Sequence, residues 1–232
     1  MRVIILKDLE AKIESYGMLR FLVVAMSIFF LLFIIVAPGF QRVSSSFIPN
    51  LILVVGIGEL FIFLIFTFLS TTGNPLVEEE KTIRDLALGS VFSSLSIVFG
   101  KYIAFILHLL LFLILTSPIN LSSLNLSPRG DLKGIYLPLF VINGSLASWG
   151  FFISTMKDKR FAILILSISV ISLLVFTARI PYPLRSINPI IFIVNYLPSA
   201  LFFYLVIWVF GLALTFWRVR YLKRVKNDTR VS

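Results

Sequence analysis

Six apolar runs divide this chain: Phe21–Ala37, Leu51–Leu69, Tyr102–Ser117, Ile135–Ile153, Phe161–Ala178 and Tyr196–Trp217. A hydrocarbon core takes about 20 helical residues, and each run reaches or approaches that length. In lipid every backbone N–H and C=O must be satisfied within the structure that crosses, so runs like these fold as helices. The expected fold class is therefore an all-α polytopic membrane protein, with six transmembrane helices in one domain over residues 1–232. A hydrophobic share of 59% and a mean hydropathy of +1.02 agree with several crossings. The first run follows a charged amphipathic stretch and has no small-residue cleavage site after it, so it is expected to be a retained helix rather than a signal peptide.

An even number of crossings returns both ends to one side. Alternation then puts 16 of the 21 Lys and Arg on that side: Arg2, Lys7, Lys12 and Arg20, then Lys81, Arg84 and Lys101, then Lys157, Lys159 and Arg160, and finally Arg218, Arg220, Lys223, Arg224, Lys226 and Arg230. Only Arg42, Arg129, Lys133, Arg179 and Arg185 fall on the other. The excess marks the cytoplasmic face, so both termini are expected inside a cell membrane. A net charge of +10 would suggest nucleic acid in a soluble protein. Here the cations sit at span ends, where they set orientation and meet anionic lipid, so membrane lipids are expected partners and nucleic acid is not. With no cysteine, thiolate metal sites, disulfides, covalent haem attachment through Cys and cysteine nucleophiles are excluded.

Three segments outside the spans have their own character. Over residues 3–18, Ile5, Leu6, Leu9, Ile13 and Tyr16 recur at helical spacing while Lys7, Asp8, Glu10, Lys12 and Glu14 fill the other positions, which predicts an interfacial helix with Gly17 as a bend into the first span. The outer segment Pro118–Lys133, with Pro128 and Gly130, reads as a connecting loop. Before the last span, Pro181, Pro183, Pro189 and Pro198 punctuate Ile190–Val194, an apolar stretch too short to cross, which predicts a re-entrant or interfacial segment. No internal repeat is visible, which weakens an inverted-repeat transporter.

The cytoplasmic segment 78–97 carries the most functional information. Glu78, Glu79 and Glu80 precede a short helix, where its dipole favours negative charge, and Leu86, Leu88, Val91 and Ile97 give it an apolar side. Such a segment fits a groove on a soluble partner; in an arbitrary membrane protein it would more often be a solvated loop capping its own helix. The string Glu80-Lys81-Thr82-Ile83-Arg84-Asp85-Leu86-Ala87-Leu88-Gly89-Ser90, with Ser93, Ile97 and Gly100-Lys101 after it, resembles the segment after the second span of type-2 ABC export permeases. That family favours Glu-Arg-Gly-Thr-Leu-Glu, leucines, Ser-Pro and then Gly-Lys; Thr82 and Val91 depart from its Gly and Pro. Within the superfamily, Lys7-Asp8-Leu9-Glu10 with Ile13-Glu14-Ser15, and Thr155-Met156-Lys157-Asp158-Lys159-Arg160, are similar to the CcmB-type permeases of cytochrome c maturation, called haem exporter protein B.

The resemblance implies a membrane-spanning subunit of an export complex, with two ATPase subunits, a second identical or related permease chain, and haem as one cargo. It assigns ATPase coupling to Glu78, Glu79, Glu80, Lys81, Asp85, Ser90 and Lys101. A generic exporter of lipid, polysaccharide, peptide or drug, or a membrane assembly factor, would share this layout. Independently, the chain has no phosphate loop: Gly100-Lys101 is preceded five residues earlier by Leu95 and followed by Tyr102. ATP would be bound by the partner, with no cofactor or metal on this chain.

Inside the spans, Glu59 is the one acidic residue, and a charge at that depth costs about 2.5–3.5 kcal/mol even on permissive scales. Counting about 1.5 Å per residue from Asn50 and from Pro118 puts Glu59 and His108 at similar heights near the midplane. The expectation is that they pair or share a polar cavity, with Asn143 as a further lining residue of a translocation path. Packing and a neutral carboxyl bonded to another helix are the competing readings, and a lone midspan His is no haem ligand set. With one His, no Gly-x-Ser-Gly string and no paired carboxylates in the spans, the chain is not expected to be an enzyme. Gly56, Gly58 and the Gly144–Ser148 cluster predict close helix packing, and Tyr136, Tyr196, Trp217 and Tyr221 an interfacial belt.

Overall fold

The computed structural model describes residues 1–14, 16–42, 51–71, 82–126, 132–156, 187–195 and 198–231, with positions 164, 165, 167, 168, 170–172, 174 and 175. These residues are almost all helical and include no strand. In chain order the helices are α1 (Arg2–Glu14), α2 (Tyr16–Arg42), α3 (Leu51–Thr71), α4 (Ile83–Gly89), α5 (Ser94–Leu126), α6 (Leu132–Ile153), α7 (Pro189–Asn195) and α8 (Pro198–Val231). Among the described residues four helical stretches are long and apolar enough to cross a membrane: Val54–Thr71, Ser94–Ser123, Gly134–Ile153 and Pro198–Lys226. The predicted first span lies within α2. The predicted fifth, 161–178, falls partly outside the described residues, and those of its positions that are described are helical.

Small residues set the tightest packing. α6 and α8 form the largest helix pair, because Gly144 leaves room for the Trp208 indole and Gly211 for Ser148. Thr215 adds a hydroxyl that donates to the Gly211 carbonyl at 2.8 Å and to that of Ser148 at 3.3 Å. On the other flank of α6, Gly56 of α3 takes the Ile135 side chain and Gly150 takes Thr71. Without a hydrophobic force between helices in lipid, backbone approach of this kind supplies the contact area. Phe63, Phe66, Phe105 and Phe112 fill the seam between α3 and α5, with Phe66 and Phe112 centroids 5.0 Å apart.

These contacts give the directions of the helices. Gly56 meets Ile135, Thr67 meets Asn143 and Thr71 meets Gly150, so α3 and α6 run parallel. Gly144 meets Trp208 and Ser148 meets Gly211, so α6 and α8 also run parallel. α5 opposes α3, pairing Asn120 with Glu59 and Phe105 with Phe66. One end of the bundle therefore gathers Thr71, α4, the start of α5, Thr155 and Lys223, and α1 lies there too, with Ile4 against Gly100. Both ends of the chain approach that end.

Several segment boundaries differ from the sequence expectation. α5 does not stop at Pro118 but runs through it to Leu126, so the start of the predicted outer loop is helix. Proline removes the N–H that would bond the carbonyl of Ile114, and the Ser117 hydroxyl donates to that carbonyl instead, at 2.7 Å. Gly17 is the second residue of α2, and the junction between α1 and α2 falls at position 15, outside the described residues. The last span begins at Pro198 and its helix continues through the basic tail to Val231.

The proline-rich segment before α8 does contain a short helix. Asn188 caps α7, accepting from the N–H groups of Ile190 and Ile191 at 3.0 and 3.3 Å, while its amide donates to the Leu174 carbonyl at 2.8 Å. Pro189 then occupies the first turn, where its missing N–H is harmless. Phe192 is buried and stacks on Tyr204, whose hydroxyl donates to the Ile187 carbonyl at 2.6 Å. α7 is thus packed against α3 and α6, which shields a broken backbone from lipid.

Candidate functional site

Two regions hold the residues singled out by sequence, one at the α4 end and one within the bundle. At the α4 end, Thr82 and Asp85 form a reciprocal cap. The Asp85 N–H donates to Thr82 Oγ1 and the Thr82 N–H to Asp85 Oδ2, each at 3.2 Å, and the Thr82 hydroxyl donates to the same carboxylate oxygen at 2.5 Å. A box of this kind satisfies donors that a helix start leaves open. Ile83 and Ala87, one turn apart, are buried and seat α4 on the bundle. Arg84 donates to the Thr155 carbonyl at 3.4 Å, and Lys223 of α8 donates to the carbonyl of Phe92 just past α4. α4 is therefore fastened to the turn after α6 and packed on α8, which also holds the stretch that follows α4.

The sequence-predicted coupling residues divide accordingly. Glu78, Glu79, Glu80 and Lys81 lie outside the described residues. Asp85 is exposed but engaged in its cap, and the Ser90 hydroxyl and N–H close the far end of α4 on the Leu86 carbonyl, at 2.5 and 3.1 Å. The predicted segment 78–97 is not one unit, because α5 begins at Ser94 and Ile97 is buried inside it. Val91 does not join an apolar side of α4; it stands 99% exposed between the two helices.

Lys101, expected among the coupling residues, does not stand at the surface. It is 4% exposed and forms an ion pair with Asp8 of α1, whose side chain is equally buried. Gly100 beside it accommodates Ile4, since a Cβ there would stand 3.0 Å from the Ile4 methyl. Gly100 and Lys101 together form a seat for α1. The face of α1 turned inward is thus Ile4 and Asp8, while Val3 and Leu6 are exposed. The expected amphipathic face placed Asp8 among the solvated positions; its partner, 93 residues away, reverses that.

Within the bundle, Glu59 is fully buried and accepts from the Asn120 amide at 2.6 Å. The same Asn120 nitrogen donates to the Tyr136 hydroxyl oxygen at 2.9 Å. Thr116, one turn before Asn120, adjoins the Glu59 carboxyl, and its hydroxyl donates to the Leu113 carbonyl at 3.2 Å. Tyr136 is therefore turned into this cluster rather than serving only as a belt residue. Trp217 and Tyr221 are exposed and stack on each other at 6.4 Å, as a belt requires; Tyr196 lies outside the described residues.

The structure separates Glu59 from His108 and Asn143. His108 Nδ1 contacts the Ala104 carbonyl at 2.9 Å, and its ring lies 6.5 Å from that of Phe66. Phe66 is two turns beyond Glu59 on α3, about 10 Å along the axis. The expected common height used Pro118 as the end of a span, and α5 continues past it. Asn143 accepts instead from the Thr67 hydroxyl at 2.7 Å and donates to the Leu139 carbonyl at 2.8 Å. Two polar clusters result, Glu59–Asn120–Tyr136 toward the end opposite α4 and Thr67–Asn143 nearer to it.

Sequence reasoning missed Asn120, Tyr136, Thr67 and Asp8 as partners. A spacing signal for Asn120 was present: Phe112, Thr116 and Asn120 fall one turn apart on α5 and all are buried. Among the described residues no group of His, Asp and Glu could hold a metal ion. Compared with known proteins, the chain matches no family model, no curated protein and no solved structure.

Proposed function

We propose that this chain is the membrane-spanning permease subunit of an ABC export complex, in which a separate ATPase pair drives movement of cargo through two permease chains. One observation carries the reading: α4, a capped short helix at the end of the bundle where both chain ends lie, packs on α8, which also holds the stretch after α4 through Lys223, and is tied by Arg84 to the turn that follows α6. Motion imposed on α4 would be passed to α6 and α8 together. The parallel course of α3, α6 and α8 supports six crossings, because a chain leaving α6 at one end must return before starting α8 at the other. The basic residues at the α4 end favour a cytoplasmic placement. Nucleotide-driven closure of the ATPase pair would push α4 and the acidic residues before it, tilting α3 and α5, which flank α4 in the chain, along with α6 and α8 to switch access.

Handling of haem rests on the strings at residues 7–15 and 155–160. In the first of these Asp8 has a structural task, pairing with Lys101, so cargo is assigned here only as an apolar molecule that a membrane path of this composition can pass.

Val91→Asp tests the docking role, because a side chain 99% exposed has no packing to lose within this chain. The expected result is an unchanged melting temperature with loss of the co-purifying ATPase and of its stimulation. Survival of both in Val91→Asp and in Glu79→Gln/Glu80→Gln would overturn the reading.

A further inference from the structure

Of the four helical stretches long enough to cross a membrane, the one in α8 is the least covered: 22% of Pro198–Lys226 is buried, against 56 to 67% of the other three. Its bare side is a single stripe. Phe202, Val206, Val209 and Phe210 are exposed along it, at the three- and four-residue spacings that share a helix face. Continued toward the α4 end, the stripe passes Ala213 and reaches Trp217 and Tyr221, then Arg220 and Arg224, all of them exposed. Val219 and Leu222, on the opposite side of the same turns, are buried against the bundle. The face that acyl chains would cover therefore ends in two aromatic rings and two guanidinium groups.

Depth agrees with this order. Counted from Pro198 at about 1.5 Å per residue, a core of about 30 Å ends near Trp217, which sets Arg220 and Arg224 about 5 and 10 Å beyond it. The headgroup layer takes up about 5–8 Å on each side, and the long arginine stem lets the charged head reach back into it. The cations also divide by type. Lys223, turned inward, is spent on the Phe92 carbonyl, and Arg218 lies over the Tyr221 ring with Cζ 5.3 Å from its centroid. The outward positions hold arginine, whose paired N–H donors match two oxygens of one phosphate as an ammonium does not. No acidic residue occurs over 217–226. A second copy of this chain seated symmetrically along the stripe would set these arginines against their own counterparts, because a two-fold contact repeats the same patch. Like charge disfavours that occupant, and a phosphate has the complementary sign.

We propose that the exposed face of α8 from Trp217 to Arg224 is a binding site for an anionic phospholipid of the leaflet at the α4 end, its acyl chains laid along Val206 and Phe210 and its phosphate held between Arg220 and Arg224. Trp217 and Tyr221, stacked with centroids 6.4 Å apart, meet the lipid at its glycerol level, where amphipathic rings settle. A lipid held there grips the outer side of the turn whose inner side holds the stretch after α4. The site lies on this chain's own outer face and stands whether or not the transport reading does.

Tryptophan quenching in the full chain, reconstituted into phosphatidylcholine vesicles, tests this, with phospholipid brominated near the headgroup end of its acyl chains as the probe. Trp217 stands on the face and is 62% exposed. Brominated phosphatidylglycerol is expected to quench at lower mole fraction than brominated phosphatidylcholine, by on the order of five-fold for each arginine engaged. Arg220→Gln/Arg224→Gln, at two exposed positions, is expected to remove that advantage and leave quenching by brominated phosphatidylcholine unchanged. Arg2→Gln/Lys7→Gln, which removes as much charge from exposed positions of α1 at the same end, is expected to keep it. Equal quenching by the two lipids in the wild type, an advantage that survives in the α8 variant, or the same loss in the α1 variant overturns the proposal. An α8 variant that keeps its lipid preference and loses a co-purifying ATPase instead marks the face as a protein surface, and overturns it too.

Discussion

Lys101 and Asp8 show how a single pair can matter more than the surface around it. Removing one member of a buried ion pair leaves a charge without compensation, which costs about 3–5 kcal/mol. Lys101→Met is therefore expected to lower the melting temperature sharply, and Asp8→Asn added to it to recover much of the loss, as a double-mutant cycle on the purified protein would report. Gly144 is the second sensitive position: a Cβ there would meet the Trp208 ring at 2.7 Å. Gly144→Val is expected to destabilise by about 1–3 kcal/mol through overpacking, read as a lower melting temperature. At this scale the sequence was only partly legible. That Glu59 needed a partner followed from its place in an apolar run, but which partner depended on how far α5 continued. The Ser117 hydroxyl decided that, by making Pro118 tolerable within a helix.

Among the elements, a short helix before the third apolar run was expected, but its bounds at Ile83–Gly89 and its Thr82–Asp85 cap were not read from the sequence, and the inner face of α1 was read wrongly. Thr82 and Asp85 stand three apart before an apolar run, the spacing of a capping box, and the structure contains one. Thr82→Ala is expected to weaken α4 by about 1 kcal/mol, visible as faster amide hydrogen exchange over residues 83–89 with little change in the long helices. The inner face of α1 was misjudged because periodicity reports which residues are apolar and not what lies opposite. A carboxylate placed over a buried lysine belongs inside, and only the fold brings position 8 to position 101. α7 was foreseen as a broken segment from its prolines, while its burial under Tyr204 depended on helices distant in sequence.

Across the whole molecule, four of the apolar runs stand in helices long enough to cross a membrane, and α3, α6 and α8 run parallel as alternation of the runs expects. The chain has no cysteine, so a single introduced thiol reports its own side of the membrane. Val91→Cys, beside α4, and Ser122→Cys, on the exposed face of α5 near its far end, are expected to react with an impermeant maleimide from opposite sides; labelling of both from one side would refute the arrangement. α8 has a mechanical consequence. Its helix is unbroken from Tyr204, whose hydroxyl grips the backbone before α7, to Lys223, whose ammonium grips the backbone after α4. These two clasps are 19 residues apart, about 28 Å on one stiff rod. With no joint between them, a shove delivered at one clasp arrives at the other as a tilt, so the loops at opposite poles of the bundle cannot be repositioned independently.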